Sequence, residues 1–502
     1  MKLSDLLMSD EILDFSSDIQ KIPVQAISSS TETVVLGSVF VCIDGMHTDA
    51  HRLIPESIAR GASAVVLSNP SAAEQCTVPW VIVPDTRKAL SYMLYRFYGS
   101  PADQMRVIAV TGTNGKTSLT YMLRAIFMRA GYKVGIIGTV RNMIGDEVVL
   151  DAGLTTPDPA DLYRLLAQMR AQNCEYVFME ASSHALALNK LCAIPVDTGI
   201  FTNLTPDHLD FHHDMEHYKE AKQKLFAISR MSLVNMDSPY GTAMAEAAAG
   251  RIYRYGIDSG DTGTEFAAKS VNLLAREGIQ YTLSAWNESM NIRSQIPGRF
   301  SVYNTMAAAA AAYLHGIRIP VIEAALKDMH GVEGRMERIP LEKVSAQPIY
   351  SQISLFLDFA HTPDALANVL RTARDFRRDG DRLVVVFGCG GDRDREKRPL
   401  MGAVASELAD FTIITSDNCR SEKPEDIIAD ILTGFDATCP HVIIPDRESA
   451  ILYALAHAEK GDIILLCGKG HENYIIDQKG KRHFSEREIA MRFAAENDKF
   501  KF

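Results

Sequence analysis

The sequence predicts an α/β protein of three domains whose middle one is built on a parallel sheet carrying a phosphate loop. Three observations predict it. The 502 residues exceed what one core organises, and about 150 residues per domain gives three. Between Arg106 and Phe127 an apolar run, a glycine-rich loop and a helically spaced apolar face follow one another. Beyond them, strand-like runs alternate with helical stretches twice over and end in polar clusters, which is where open α/β sheets bind ligands. The expected domains are residues 1–100, 101–337 and 338–502.

Charge and composition narrow the function classes. A formal net charge of −11 argues against a nucleic-acid partner, which calls for a basic face. The eight cysteines include no close Cys-x-x-Cys pair, so neither a disulfide framework nor a zinc site is expected, and Cys42 and Cys467 sit in apolar runs as small buried hydrophobes. The first residues, Met1-Lys2-Leu3-Ser4-Asp5, do not read as a signal peptide, and no apolar run has the length of a membrane span. A cytoplasmic monomer is the expectation.

In chain order, the first domain carries strand-like runs at Val34 to Ile43, Ala64 to Leu67 and Trp80 to Val83, and helical stretches at Ile54 to Arg60 and Arg87 to Tyr98. Gly99-Ser100-Pro101 separates it from the second domain. That domain opens on the apolar strand Arg106 to Val110, then Thr111-Gly112-Thr113-Asn114-Gly115-Lys116-Thr117-Ser118, then a helix with Leu119, Met122, Leu123, Ile126 and Phe127 on one face. Gly112 and Gly115 let backbone N–H groups approach phosphate oxygens, the helix N-terminus adds positive potential, and Lys116 adds a full charge. Thr117 is placed to hold Mg²⁺ through its hydroxyl. Val110 stands where the full P-loop pattern has glycine, so this is a shortened variant.

Two more strands of this domain end in polar clusters, Glu175 to Met179 at Glu180-Ala181-Ser182-Ser183-His184, and Thr198 to Phe201 at Thr202 to Asp210. A nucleoside triphosphate needs a hard cation with oxygen ligands, and Glu180 and His208 are the candidates beside the loop. The Tyr218 to Phe226 stretch reads as a helix with Lys219 and Lys224 on a solvated face. Alternation of Ile279, Tyr281, Leu283 and Ala285 with polar residues predicts a small antiparallel insert between about 251 and 299, an alanine-rich helix follows Asn304, and Gly331 to Arg338 reads as a linker. In the third domain, Leu383 to Phe387, Phe411 to Thr415, His441 to Ile444 and Ile463 to Leu466 read as parallel strands, three of which feed Gly388 to Arg393, Ser416 to Arg420 and Gly468 to Glu472. Asp358 to Asp364 places two carboxylates and a histidine just before a helix.

Taken in order, Thr-Gly-Thr-Asn-Gly-Lys-Thr, Glu-Ala-Ser-Ser-His, Thr-Asn-Leu-Thr-Pro-Asp-His-Leu-Asp, Asp-Phe-Ala-His-Thr-Pro-Asp, Gly-Cys-Gly-Gly-Asp-Arg-Asp and Gly-Lys-Gly-His-Glu resemble the Mur ligases over nearly the whole chain. The likeness is greatest to the branch that adds the third peptide residue to UDP-N-acetylmuramoyl-L-alanyl-D-glutamate. The resemblance implies a UDP-binding first domain, a central ATPase domain and a Rossmann-like third domain that binds the amino-acid acceptor. It further implies an amide ligase that uses ATP and Mg²⁺, phosphorylates the D-glutamate carboxylate to an acyl phosphate and lets an amine displace phosphate.

By the same resemblance Thr117, Glu180 and His208 hold metal, joined by Lys222 as a CO₂-carbamylated ligand, and with Lys116 they form the catalytic set. Asn304, Arg335 and Asp358 join the loop residues around the nucleotide, Thr155, Thr156, Ser182 and Lys190 meet the UDP-muramoyl dipeptide, and Arg393, Asp417, Asn418, Arg420, Gly468 and Glu472 form a pocket for meso-diaminopimelate. There Arg420 pairs with the distal carboxylate. The chain departs from the pattern at Cys419, where proline is usual, at Ser30-Thr31-Glu32, where Asp-Ser-Arg is usual, and at Lys190, where arginine is frequent. L-lysine or another diamino acid as acceptor stays open, as do a folylpolyglutamate-synthetase-like ligase, against which residues 1–100 argue, and a nucleotide-binding homologue without catalysis, against which intact Glu180, His208 and Lys222 argue.

Overall fold

The apolar run before the phosphate loop is the strand Arg106–Thr111, buried from Val107 onward. It lies between Val196–Phe201 and Tyr176–Glu180, parallel to both. Three carboxyl ends therefore converge on one point, and the loop and the two polar clusters meet there. The computed structural model describes residues 1–45, 49–151, 153–257, 263–274, 278–378 and 380–497. Four sheets are seen among them.

The central sheet has eleven strands. Its core of Val134–Ile137, Tyr176–Glu180, Arg106–Thr111, Val196–Phe201, Ser229–Asn235 and Arg251–Gly256 is parallel throughout. The expected antiparallel insert is instead an extension of this sheet's edge. Phe266–Leu273, Ile279–Ala285 and Glu288–Ser294 form an antiparallel meander, while Arg251–Gly256, which the sequence reading placed in the insert, belongs to the parallel core. Residues 258–262 and 275–277 of that stretch lie outside the described residues. The opposite edge carries a second antiparallel run, Arg141–Ile144 and Glu147–Asp151, which the sequence did not announce.

Behind the loop runs Arg299–Leu314, with Ala307 to Ala312 all fully buried. Asn304 lies within this helix rather than ahead of it. Small side chains let the helix approach the phosphate-loop helix Lys116–Arg129 in one shared core, and that approach carries Asn304 to the loop. In Met215–Ala227 the expected solvated face holds for Lys224, and Lys219 pairs with Glu216, but Lys222 points inward.

The first domain forms a five-stranded sheet in the order Asp14–Phe15, Trp80–Ile82, Ala62–Leu67, Ser38–Val41, Ala26–Ser28. The long strand expected from Val34 is shorter. Thr31–Thr33 is a 3₁₀ turn, Leu36 is 81% exposed, and Gly37 at φ +83° swings the chain into the sheet only at Ser38.

The last large sheet runs Glu337–Ile339, Ser354–Asp358, Ile463–Cys467, Leu383–Phe387, Phe411–Ile414, His441–Ile443. All pairs are parallel except the first. Glu337 and Arg338, read as linker, thus begin this sheet as its antiparallel edge. A hairpin of Tyr474–Asp477 and Gly480–His483 stands beside it. No helix among the described residues is long and apolar enough to cross a membrane.

Candidate active site

The loop closes because two of its residues are glycine. Gly112 at φ +150° and Gly115 at φ +91° would each bring a Cβ into a neighbour, Thr202 Oγ1 at 1.9 Å and Asn304 Oδ1 at 2.5 Å respectively. Gly115 caps the helix Lys116–Arg129, whose first N–H groups have no partner within the helix and face the loop. Lys116 Nζ donates to the carbonyls of Gly112 at 2.9 Å and Thr113 at 2.8 Å, which holds the ammonium over the loop. Burial lowers the Lys116 pKa, and the charges of Glu180 and Asp207 oppose that shift.

Glu180 ends its strand one hydrogen bond from the loop. Its Oε2 accepts from Thr117 Oγ1 at 3.0 Å and Thr139 Oγ1 at 2.8 Å, and its Oε1 from the Thr139 amide at 2.8 Å. Arg335 Nη2 reaches Thr117 Oγ1 at 3.3 Å from the junction with the third domain. Of the four metal candidates, Thr117 and Glu180 are thus in direct contact. His208 sits in a left-handed conformation at φ 54°, with Nε2 3.4 Å from Asp207 Oδ2, and desolvation lowers its pKa to about 4 despite that carboxylate. Its imidazole is neutral near pH 7, the form that ligates metals.

Lys222 is buried beneath the loop, with Nζ donating to Gly112 O at 2.9 Å and lying 4.6 Å from the Tyr218 ring centre. Burial, helped by Lys116, drives its pKa well down. Among the described residues no group of three or more His, Cys, Asp or Glu is arranged to hold a metal. The donors present fit Mg²⁺ nonetheless, because that ion takes one or two protein oxygens and completes its shell with phosphate and water. The hydroxyl of Thr117 and the carboxylate of Glu180, in contact at the mouth of a phosphate loop, are such oxygens.

A cavity of about 610 Å³ opens from the loop between the second and third domains, with Asn304, Arg335 and Asp358 in its wall. Asp358 ends its strand and accepts from the amides of Met336 at 2.7 Å and Ala360 at 2.8 Å. Burial raises its pKa and Arg335 opposes the rise. The Arg335 guanidinium lies 4.7 Å from the centre of the Phe359 ring. Across the gap Asp364 Oδ2 accepts from Asn114 Nδ2 at 2.8 Å and Thr205 Oγ1 at 3.1 Å, so the third domain touches the phosphate loop itself. Thr362, whose Oγ1 accepts from the Ala365 amide at 3.2 Å, caps the helix Pro363–Asp375 and leaves the Asp364 carboxylate to this bridge.

A second cavity of about 840 Å³ adjoins the first, and Thr139, Thr155, Asp207, His208, Phe359 and His361 line both. Thr155, Thr156, Ser182 and Lys190 stand on its central-domain side. Thr156 Oγ1 donates to the carbonyl of Glu180 at 2.7 Å, and Lys190 Nζ pairs with Asp158 at 2.7 Å. On the other side stand Arg393, Asp417, Asn418, Arg420, Gly468 and Glu472, as expected for one pocket. Arg420, at φ 54°, spends Nη1 on the carbonyls of Gly391 at 2.7 Å and Asn418 at 3.3 Å and pairs with no carboxylate among the described residues. Desolvation lowers its pKa, and repulsion by Arg393 adds to that. Cys419 in the proline position is buried, with Sγ 3.3 Å from Asp417 O.

Thr139 and the wall residues Arg141, Lys397 and Lys481 escaped sequence reasoning, and Asp364, noted only as a carboxylate ahead of a helix, was given no part in the site. Thr139 follows a strand without a motif of its own, and nothing local distinguishes Lys397 from the other charges around it.

The Mur ligase middle domain matches residues 110–312 and the Mur ligase glutamate ligase domain residues 334–470. The chain belongs to the Mur ligase family of ATP-dependent amide ligases. It is 41% identical over 496 residues, 98% of this chain and 99% of the other, to the UDP-N-acetylmuramoyl-L-alanyl-D-glutamate–2,6-diaminopimelate ligase of Clostridioides difficile (strain 630). To the ligase of the same description from Caldanaerobacter subterraneus subsp. tengcongensis it is 42% identical over 462 residues, 92% of each chain. A solved structure of a ligase so described superposes with a TM-score of 0.70 at 27% identity, covering 100% of both chains.

Proposed function

We propose that the protein joins meso-2,6-diaminopimelate to the D-glutamate carboxylate of UDP-N-acetylmuramoyl-L-alanyl-D-glutamate, driven by ATP, in the assembly of peptidoglycan precursors. The observation that carries this reading is the continuity of the two cavities. One begins at the phosphate loop, the other ends among Asn418, Arg420 and Glu472, and they join at Thr155, His208 and His361. A γ-phosphate leaving the loop enters the same space as a carboxylate and an amine brought from the other side.

In this reading the loop amides and Lys116 neutralise charge on the transferring phosphoryl group, since phosphoryl transfer needs positioning and electrostatics more than a covalent group. Arg335, whose Nη2 reaches Thr117 Oγ1 at 3.3 Å from the junction, adds its charge to the same oxygens. Thr155, Thr156, Ser182 and Lys190 hold the dipeptide so that its glutamate carboxylate faces the loop. Arg420 and Glu472 hold the distal carboxylate and ammonium of the acceptor, leaving its other amine to attack the acyl phosphate. Thr117, Glu180, His208 and a carbamylated Lys222 would hold Mg²⁺, which would supply further charge neutralisation at the phosphates. The lowered Lys222 pKa favours the neutral amine, the form that takes up CO₂.

Phosphate release that requires the UDP-linked dipeptide and meso-diaminopimelate together tests the proposal. ATP hydrolysis indifferent to either, or a preference for L-lysine, overturns the corresponding half.

A further inference from the structure

The Gly468-Lys469-Gly470 turn has no room for a side chain at either glycine. A Cβ on Gly468, at φ +115°, would stand 2.6 Å from Asp417 Oδ2, and one on Gly470, at φ +53°, 2.8 Å from both Gly334 O and Phe359 N. Wedged between the acceptor loop and the interdomain junction, the turn sends Lys469 inward, where its side chain is fully buried. Long ammonium side chains are almost never fully buried without specific partners. Here Nζ donates to Asn418 Oδ1 at 3.1 Å and Glu472 Oε2 at 3.0 Å and stands 3.6 Å from Asp417 Oδ1.

These bonds settle which way Asn418 faces. Its Oδ1 accepts from Lys469 and, at 2.9 Å, from the Ile476 amide, so Nδ2 is turned toward Glu472, which it meets at 2.9 Å. A carbonyl oxygen with two donors cannot exchange places with an NH₂ group without setting donor against donor. Glu472 is fixed in turn, with Oε2 taking Lys469 and Asn418 and Oε1 accepting from Tyr474 Oη at 3.2 Å. Lys469 does not itself line either cavity, while Asn418, Glu472 and Asp417 all do.

We propose that Lys469 is a positioning residue for the acceptor. It holds the amide of Asn418 and the carboxylate of Glu472 in the one arrangement that presents an amide N–H and a carboxylate oxygen to the zwitterionic end of a diamino dicarboxylic acid. The inference rests on the acceptor assignment made above and adds that the buried cation, which never touches the acceptor, decides how tightly it is held.

Steady-state kinetics of K469M, with meso-diaminopimelate and ATP varied separately, test this. The acceptor KM is expected to rise about 10- to 100-fold, as for other residues that orient a binding group, with the KM for ATP unchanged within about twofold. In an N418A background K469M is expected to add less than it does alone, because one of the two groups it orients is already gone. Parallel rises in both KM values, an unchanged acceptor KM, or additive effects in the double variant overturn the inference. Should K469M not fold, K469Q, which retains a hydrogen bond to Asn418 without the charge, is read by the same KM split. A wild-type enzyme whose phosphate release ignores meso-diaminopimelate would defeat the acceptor assignment instead, so the two failures are distinguishable.

Discussion

Replacing Lys116 with alanine removes an ammonium that is held over the phosphate loop by the carbonyls of Gly112 at 2.9 Å and Thr113 at 2.8 Å. Two losses result, of different size. The loop loses two hydrogen bonds to a charged donor, but the protein is also relieved of a desolvated cation, so the net stability cost is about 1–2 kcal/mol. The transferring phosphoryl group loses a charge aimed at its developing negative oxygens, typically about 3–4 kcal/mol, or roughly a hundredfold to a thousandfold in rate. The kinetic loss therefore exceeds the structural one. Acceptor-dependent phosphate release should fall by that factor in K116A, while a thermal melt still shows one cooperative transition within several degrees of wild type. Turnover within about threefold of wild type would refute the reasoning, because no residue of the loop carries a compensating full charge.

Other parts of the site lead to further expected outcomes. K222A should be nearly inactive and partly restored by short carboxylates in the assay, since a carbamate is what its buried position under Gly112 is proposed to present; failure of every carboxylate to restore activity counts against it. R420A should raise the KM for meso-diaminopimelate about thirtyfold to a few thousandfold and leave that for ATP nearly unchanged, the cost of removing one partner of a buried charged pair; similar rises for both substrates would refute the assignment. Stability should depend on pH through His315, buried against Thr198 and Asp197, whose pKa burial lowers to about 4. As pH falls below about 6.5 the unfolded chain takes up a proton that the folded one refuses, so stability is complete above that pH and is lost progressively toward pH 4, by about 3 kcal/mol at most. Urea unfolding of wild type and H315Q at pH 7 and pH 5 measures it, and equal losses in the two proteins would exclude this histidine as the source.

The phosphate loop was legible because everything it needs is contiguous. Glycines, lysine and threonine stand at fixed spacing between an apolar strand and an amphipathic helix, and local geometry alone brings their donors together. The placement of Glu180 and of the 416–420 loop at a cavity wall was legible for a related reason, since parallel strands deliver their carboxyl ends to one edge. Less legible were residues whose meaning lies in burial. Lys469 reads locally as one polar residue in a glycine turn, and Lys222 as one of three lysines on a helix whose composition suggests a solvated face. Asp364 reads as a helix-capping carboxylate until Thr362 takes that role and frees it to meet Asn114 from another domain.

By itself, then, the sequence determined the local chemistry of this protein: where strands end, where backbone turns tightly enough to cradle a phosphate, and which side chains of which charge stand at those points. Tertiary structure alone decided which of them act together. The eleven-stranded sheet, the meander at its edge and the opposition of the second and third domains set distances between residues far apart in the chain, as when Asp364 accepts from Asn114 at 2.8 Å. The physical reason is that periodicity and propensity act over a few residues. Burial, which lowers the pKa of Lys222 and leaves Lys469 to the hydrogen bonds of Asn418 and Glu472, depends on every chain segment that packs around a group.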